Sequence, residues 1–131
     1  MVSILIVAHE GIGEALLGIA EKVLDTCFAQ VEVFPIPLSY DLSHHEADLH
    51  RAIERLDEGD GVLMLADLIG ASPCNLAAAE LDLNVRLVSG LNLSMLLKVL
   101  NTRRLGLDAL AERALCGGRE GVMQVAAAGC V

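Results

Sequence analysis

The sequence predicts an α/β fold: a doubly wound, mainly parallel sheet in strand order 2-1-3-4, with helices on both faces. Aliphatic runs at residues 3–8, 61–66 and 85–89 have the unbroken hydrophobicity of strands buried on both faces. Segments of helical periodicity lie between them, and strands that alternate with helices pair in parallel through right-handed crossovers. Pro35, inside the apolar run Val31–Ile36, lacks a backbone N–H and so assigns that second strand to an edge.

The elements follow in order. The first strand climbs from Ser3 to Ala8 and reaches His9. Gly11-Ile12-Gly13 then opens a helix with Leu16, Leu17, Ala20, Val23 and Leu24 on one face. After the second strand, Ser43 and Glu46 have the spacing of a capping box, and the helix they start is largely polar and runs to near Gly59. The third strand, Gly61–Ala66, is closed by Asp67. Ser72-Pro73 supplies an N-cap and a proline at the first helical position. Val85–Ser89 is a fourth strand, and Asn92–Leu100 and Leu107–Cys116 are packed helices. The tail Gly121–Val125 fits either a helix extension or an extra C-terminal edge strand. No linker, repeat or low-complexity tract divides residues 1–131, which are expected to form a single domain.

Hydrophobic residues make up 54% of the chain, but Asp67, Arg86 and Lys98 interrupt its apolar stretches well short of a spanning helix. The amino-terminal run has no basic segment and meets a histidine too early for a signal peptide. The apolar excess is therefore assigned to a core and a subunit interface. A net charge of −9 argues against a nucleic-acid partner and suits docking on a basic patch of another protein. Cys27, Cys74, Cys116 and Cys130 form no C-x-x-C pair and read as reduced, mostly buried thiols of a cytoplasmic protein. Met64, Met95 and Met123 read as core. Tryptophan is absent and aromatic residues are only 2%, which removes the stacking platforms of a direct sugar site.

In the order 2-1-3-4 the first and third strands are neighbours at the topological switch point, where ligands bind beyond the carboxyl ends of strands. His9 and Asp67 then face one crevice. Gly11 and Gly13 allow close backbone approach, and the helix they open points its free N–H groups at the same place. A carboxylate on one ring nitrogen of a neutral histidine fixes its tautomer and leaves the other nitrogen nucleophilic. Ser72 is placed to donate its hydroxyl to a phosphoryl oxygen. From these residues alone, the pair reads equally as a site and as an ordinary strand-end histidine beside a turn aspartate.

Other patterns carry less. Gly11-x-Gly13 lacks the third glycine of a dinucleotide fingerprint, because Leu16 takes its place. His44, His45, Asp48 and His50 crowd one helix without the further ligands a metal would need, so they read as a solvated face. Cys74 has no histidine nearby in sequence to activate it. No metal or cofactor is expected.

The segments Ile4–His9, Asp67–Asn75, Ser89–Leu96 and Gly118–Val122, in order and at matching spacing, resemble the mannose-type IIA component of the bacterial sugar phosphotransferase system (PTS). That resemblance runs from the first strand to about Val125. It implies that His9 is a phosphohistidine, charged by the phosphocarrier HPr and discharged to a IIB partner. It further implies that Asp67 orients His9, that Ser72, Ser89 and Asn92 line the site, and that the protein is a cytoplasmic homodimer able to associate with a membrane permease complex. The chain departs from the family where Glu10 follows the histidine in place of glycine, where Leu68-Ile69 replaces an aromatic, and where Gly70-Ala71 stands for Gly-Gly. Sugar uptake is one expectation for such a carrier. Alternatives are a regulatory module whose His9 phosphorylation state signals to another protein, and the phosphotransfer subunit of a dihydroxyacetone kinase system. An Asp-phosphorylated receiver is disfavoured, because the first strand does not end in an acidic cluster.

Overall fold

β1 (Ser3–His9) runs through the interior of the sheet, with every residue before His9 buried. The computed structural model describes residues 1–38 and 43–127, without the Ser43 side chain. β2 (Val31–Ile36) and β3 (Val62–Ala66) pair with β1 in parallel, and β4 (Val85–Ser89) pairs with β3. The order is β2-β1-β3-β4, as the sequence predicts, with Pro35 on the edge strand.

Successive strand residues point to opposite faces, and this divides the core in two. Ile4, Ile6 and Ala8 of β1, with Leu63 and Leu65 of β3, meet helices α1 (Ile12–Leu24), α4 (Leu93–Asn101) and α5 (Leu107–Glu120). Leu5, Val7, Val62 and Met64 face the other way, against α2 (Ser43–Leu56) and α3 (Ser72–Ala78). Each such fully buried aliphatic side chain contributes about 1.5–3 kcal/mol, so the two layers fix the register of β1 from both sides. Ser3 is the polar exception among the buried residues of that strand, and its hydroxyl donates to the Leu56 carbonyl at 2.6 Å.

Glycines set two close approaches. At Gly61, φ is +90° and a Cβ would lie 2.7 Å from the Asn84 carbonyl oxygen, so the entry to β3 admits no side chain. On α5, a Cβ at Gly117 or Gly118 would meet Lys98 or Met95 at 2.5 and 2.8 Å, which is how α5 comes to lie directly on α4.

Several local expectations are corrected. Val23 is 60% exposed, because it stands off the stripe of Gly13, Leu17, Ala20 and Leu24 that meets the sheet. α2 stops at Leu56 rather than near Gly59, where the Asp57 carboxylate accepts the Gly59 and Gly61 N–H groups and turns the chain. The capping box expected at Ser43 rests on a side chain outside the described residues. The cap of α3 is Ala71, one residue before Ser72, so Pro73 stands at the second helical position. α5 extends to Glu120, and among the described residues the tail adds no strand to the sheet. Met123 is consequently exposed rather than core. Of the cysteines, Cys74 is buried, Cys116 half-buried and Cys27 exposed, so mostly buried is wrong for them; Cys130 lies outside the described residues.

Candidate functional site

The switch point brings His9 and Asp67 together. His9 is the last residue of β1, and Asp67 follows the last residue of β3. The His9 ring Nδ1 lies 2.6 Å from Asp67 Oδ2, and the His9 backbone N–H donates to the same oxygen at 3.1 Å. The other carboxylate oxygen accepts the Leu68 N–H at 3.0 Å. Burial opposes ionisation of Asp67, but the hydrogen bonds from the His9 ring and backbone outweigh it and hold the carboxyl below its usual range. An ionised carboxylate can only accept, so the ring nitrogen facing it carries the proton. In the neutral ring Nε2 is then the lone-pair nitrogen, and the side chain is 26% exposed.

The glycines after His9 divide their tasks. Gly11 adopts φ +96°, which favours glycine, and no side chain caps α1 there. Its N–H donates to the Glu14 carboxylate at 3.0 Å. The helix end that the sequence offers to a phosphate thus already holds an acid. An acid three residues beyond the cap is the signal that points to this. Gly13 is buried, and a Cβ there would meet Val33 and Ile6 at 2.8 and 2.9 Å; its smallness serves helix-on-sheet packing.

The remaining expected residues differ in how free they are. Ser72 is exposed in the first turn of α3. Ser89 ends β4 beside Ala66, and its hydroxyl is buried with no partner among the described residues. Asn92 is committed elsewhere: its carbonyl oxygen accepts the Met95 N–H at 2.8 Å as the cap of α4, and its amide donates to the Gly118 carbonyl at 3.1 Å. The sequence reading also missed a rim of exposed aliphatic side chains at the carboxyl end of the sheet. Ile12 opens α1, Leu38 follows β2, and Leu68 and Ile69 follow β3. Of the helix histidines, His50 pairs with Glu54 and Glu80, which raise its pKa.

Among the described residues, no helix is long and apolar enough to cross a membrane. No curated protein sequence is significantly similar to the chain. Solved structures are. The mannose/sorbose-specific IIA subunit of the phosphotransferase system from Enterococcus faecalis superposes with a TM-score of 0.85 at 24% identity, covering 95% of each chain. The phosphotransferase component EIIA from Streptococcus agalactiae gives 0.78 at 26% identity, over 95% of this chain and 97% of that one. The PTS IIA protein associated with the fucose utilization operon of Streptococcus pneumoniae gives 0.79 at 22% identity, over 95% and 96%. The EIIA-man family model, the PTS system fructose IIA component, matches residues 3–115. The match takes in all four strands and the His9–Asp67 pair, so the chain belongs to the EIIA-man family and is a phosphocarrier of the sugar phosphotransferase system.

Proposed function

We propose that His9 Nε2 is the atom that carries the phosphoryl group, received from phospho-HPr and passed to a histidine of a IIB partner. The 2.6 Å bond between His9 Nδ1 and Asp67 Oδ2 carries this reading. With Nδ1–H donated to the carboxylate, Nε2 attacks phosphorus in line as the P–N bond of the donor breaks. The proton on Nδ1 stays in place, and Asp67 balances the positive charge that develops on the ring. Phosphoryl transfer needs little covalent help beyond positioning and charge stabilisation. The same geometry serves the reverse step toward IIB.

Ser72 and the unpartnered Ser89 hydroxyl are the polar groups assigned to the phosphoryl oxygens, and the Gly11 N–H joins them once Glu14 is displaced. The aliphatic rim of Ile12, Leu38, Leu68 and Ile69 gives the donor and acceptor a common docking surface around His9. The protein acts as a single domain in the cytoplasm and pairs as a homodimer. The tail supports the last point, since Val122, Met123 and Val125 are 76%, 70% and 54% exposed in one copy. Incubation with Enzyme I, HPr and labelled phosphoenolpyruvate tests the central claim. Acid-labile, alkali-stable label is expected on the wild type and absent from His9→Ala; label retained by that variant refutes the assignment.

A further inference from the structure

The opposite pole of the sheet holds a concentration of positive charge that phosphocarriage at His9 does not use. The turn after α4 carries Arg103 and Arg104, and α5 adds Arg113. These three line one cavity of about 510 Å³ together with Asn101, Thr102 and Leu105, and no aspartate or glutamate borders it among the described residues. They are three of nine cationic residues in a chain of net charge −9, yet none lies within ion-pair distance of a carboxylate among the described residues.

Arg103 is the least ordinary of them. It is 7% exposed, and its guanidinium donates to the carbonyls of Ala29 at 3.2 Å and Val2 at 2.8 Å. Its Nε is buried with no partner among the described residues. A buried cation compensated only by two carbonyls is costly, and an anion in the adjoining cavity would repay part of that cost. Cations beyond the end of α4 do complement the helix dipole. That accounts for Arg103 and Arg104 but not for Arg113, which comes from another helix, nor for the lack of any acid. A smaller cavity of about 420 Å³ shares Arg103, Arg104 and Leu105 with it but is bordered by Asp60, whose charge meets the Met1 ammonium, so the cavity that Arg113 borders is the better anion site.

We propose that this cavity, bounded by Arg103, Arg104 and Arg113, binds a small phosphate-bearing anion. Exposed Arg104 and Arg113 would grip the phosphate through their planar, multidentate guanidinium groups, while Arg103 supplies fixed charge from beneath. The volume suits a small metabolite. β1 is seven residues long, which puts the cavity about 20 Å from His9 at the usual rise per strand residue. The site therefore stands or falls independently of the phosphocarrier reading.

Titration of the ¹⁵N-labelled full chain with inorganic phosphate, and separately with glucose 6-phosphate, at constant ionic strength tests this. Saturable shifts are expected at Thr102–Leu105 and Arg113, unchanged in His9→Ala and at least tenfold weaker in Arg104→Ser/Arg113→Ser. Both arginines are exposed, so that variant is expected to fold, and a matching circular-dichroism melt checks it. Equal affinity for the two probes assigns recognition to the phosphate alone; tighter binding of the ester assigns the cavity to the sugar phosphate. Shifts that do not saturate by about 10 mM, or that persist in the double variant, overturn the proposal.

Discussion

One carboxylate oxygen of Asp67 receives both the ring Nδ1 and the backbone N–H of His9, at 2.6 and 3.1 Å. The strand end and the side chain are thereby held by the same atom, and rotation of the ring would cost a hydrogen bond in a setting where Asp67 is mostly buried. Removing the charge while keeping the shape isolates this effect. Asp67→Asn should leave the circular-dichroism spectrum unchanged and slow phosphoryl transfer from phospho-HPr by on the order of 100-fold, the low end for losing a positioned proton-holding group. An unchanged single-turnover rate would remove Asp67 from the mechanism.

The same bonds make Asp67 a source of pH-dependent stability. Its carboxyl is held below the ordinary value of about 3.9. A group with a depressed folded pKa stabilises the fold fully above its unfolded pKa and loses that contribution as pH falls through the folded one. The excess stability of wild type over Asp67→Asn should shrink as pH falls below about 4. Urea titrations at each pH measure it, and a difference that grows as pH falls below about 4 would contradict the sign.

The layer architecture was legible because unbroken aliphatic runs and one misplaced proline already specify interior strands and an edge. The His9–Asp67 juxtaposition followed from strand order. What escaped the sequence were the consequences of packing between distant segments. Gly13 looks like a phosphate-loop glycine until Ile6 and Val33 are seen against it. Asn92 looks like a site residue until its amide is found spent on α4 and α5. Val23 and Met123 are apolar residues whose burial depended on where a helix face turns and where a helix ends, to which composition is blind.

Gly13 gives a packing test. With a Cβ 2.8 Å from Val33 and 2.9 Å from Ile6, Gly13→Ala must push α1 away from β1 and β2. Overpacking of this kind costs about 1–3 kcal/mol, which outweighs the gain of roughly 1 kcal/mol from replacing a helical glycine. A lower denaturation midpoint is expected, and a stabilised Gly13→Ala would show that the sheet yields more easily than its burial implies.

Glu14 bears on the lifetime of the phosphorylated state. Its carboxylate accepts the Gly11 N–H at 3.0 Å, two residues after the histidine that acquires a doubly charged group, and competes with that group for the N–H. Glu14→Gln keeps an acceptor but removes the repulsion. Phospho-His9 should then hydrolyse more slowly, by about two- to fivefold if the change is worth the usual 0.3–1 kcal/mol of a charge at a helix end. Acid-quenched label counted over time reads this directly, with faster loss of label as the contrary result.

Asn92 separates a structural role from a phosphate-binding one. Its carbonyl caps α4 through Met95, and its amide ties that cap to Gly118 of α5. Loss of such a cap costs about 1 kcal/mol, and the freed Gly118 carbonyl adds to it. Asn92→Ala should therefore lower the unfolding midpoint while phosphorylation of His9, measured well below that midpoint, proceeds at the wild-type rate. Asn92→Asp, which retains the acceptor for the Met95 N–H but not the donor to Gly118, should fall between the two in stability. A variant that melts like wild type yet transfers slowly would instead return Asn92 to the phosphoryl site.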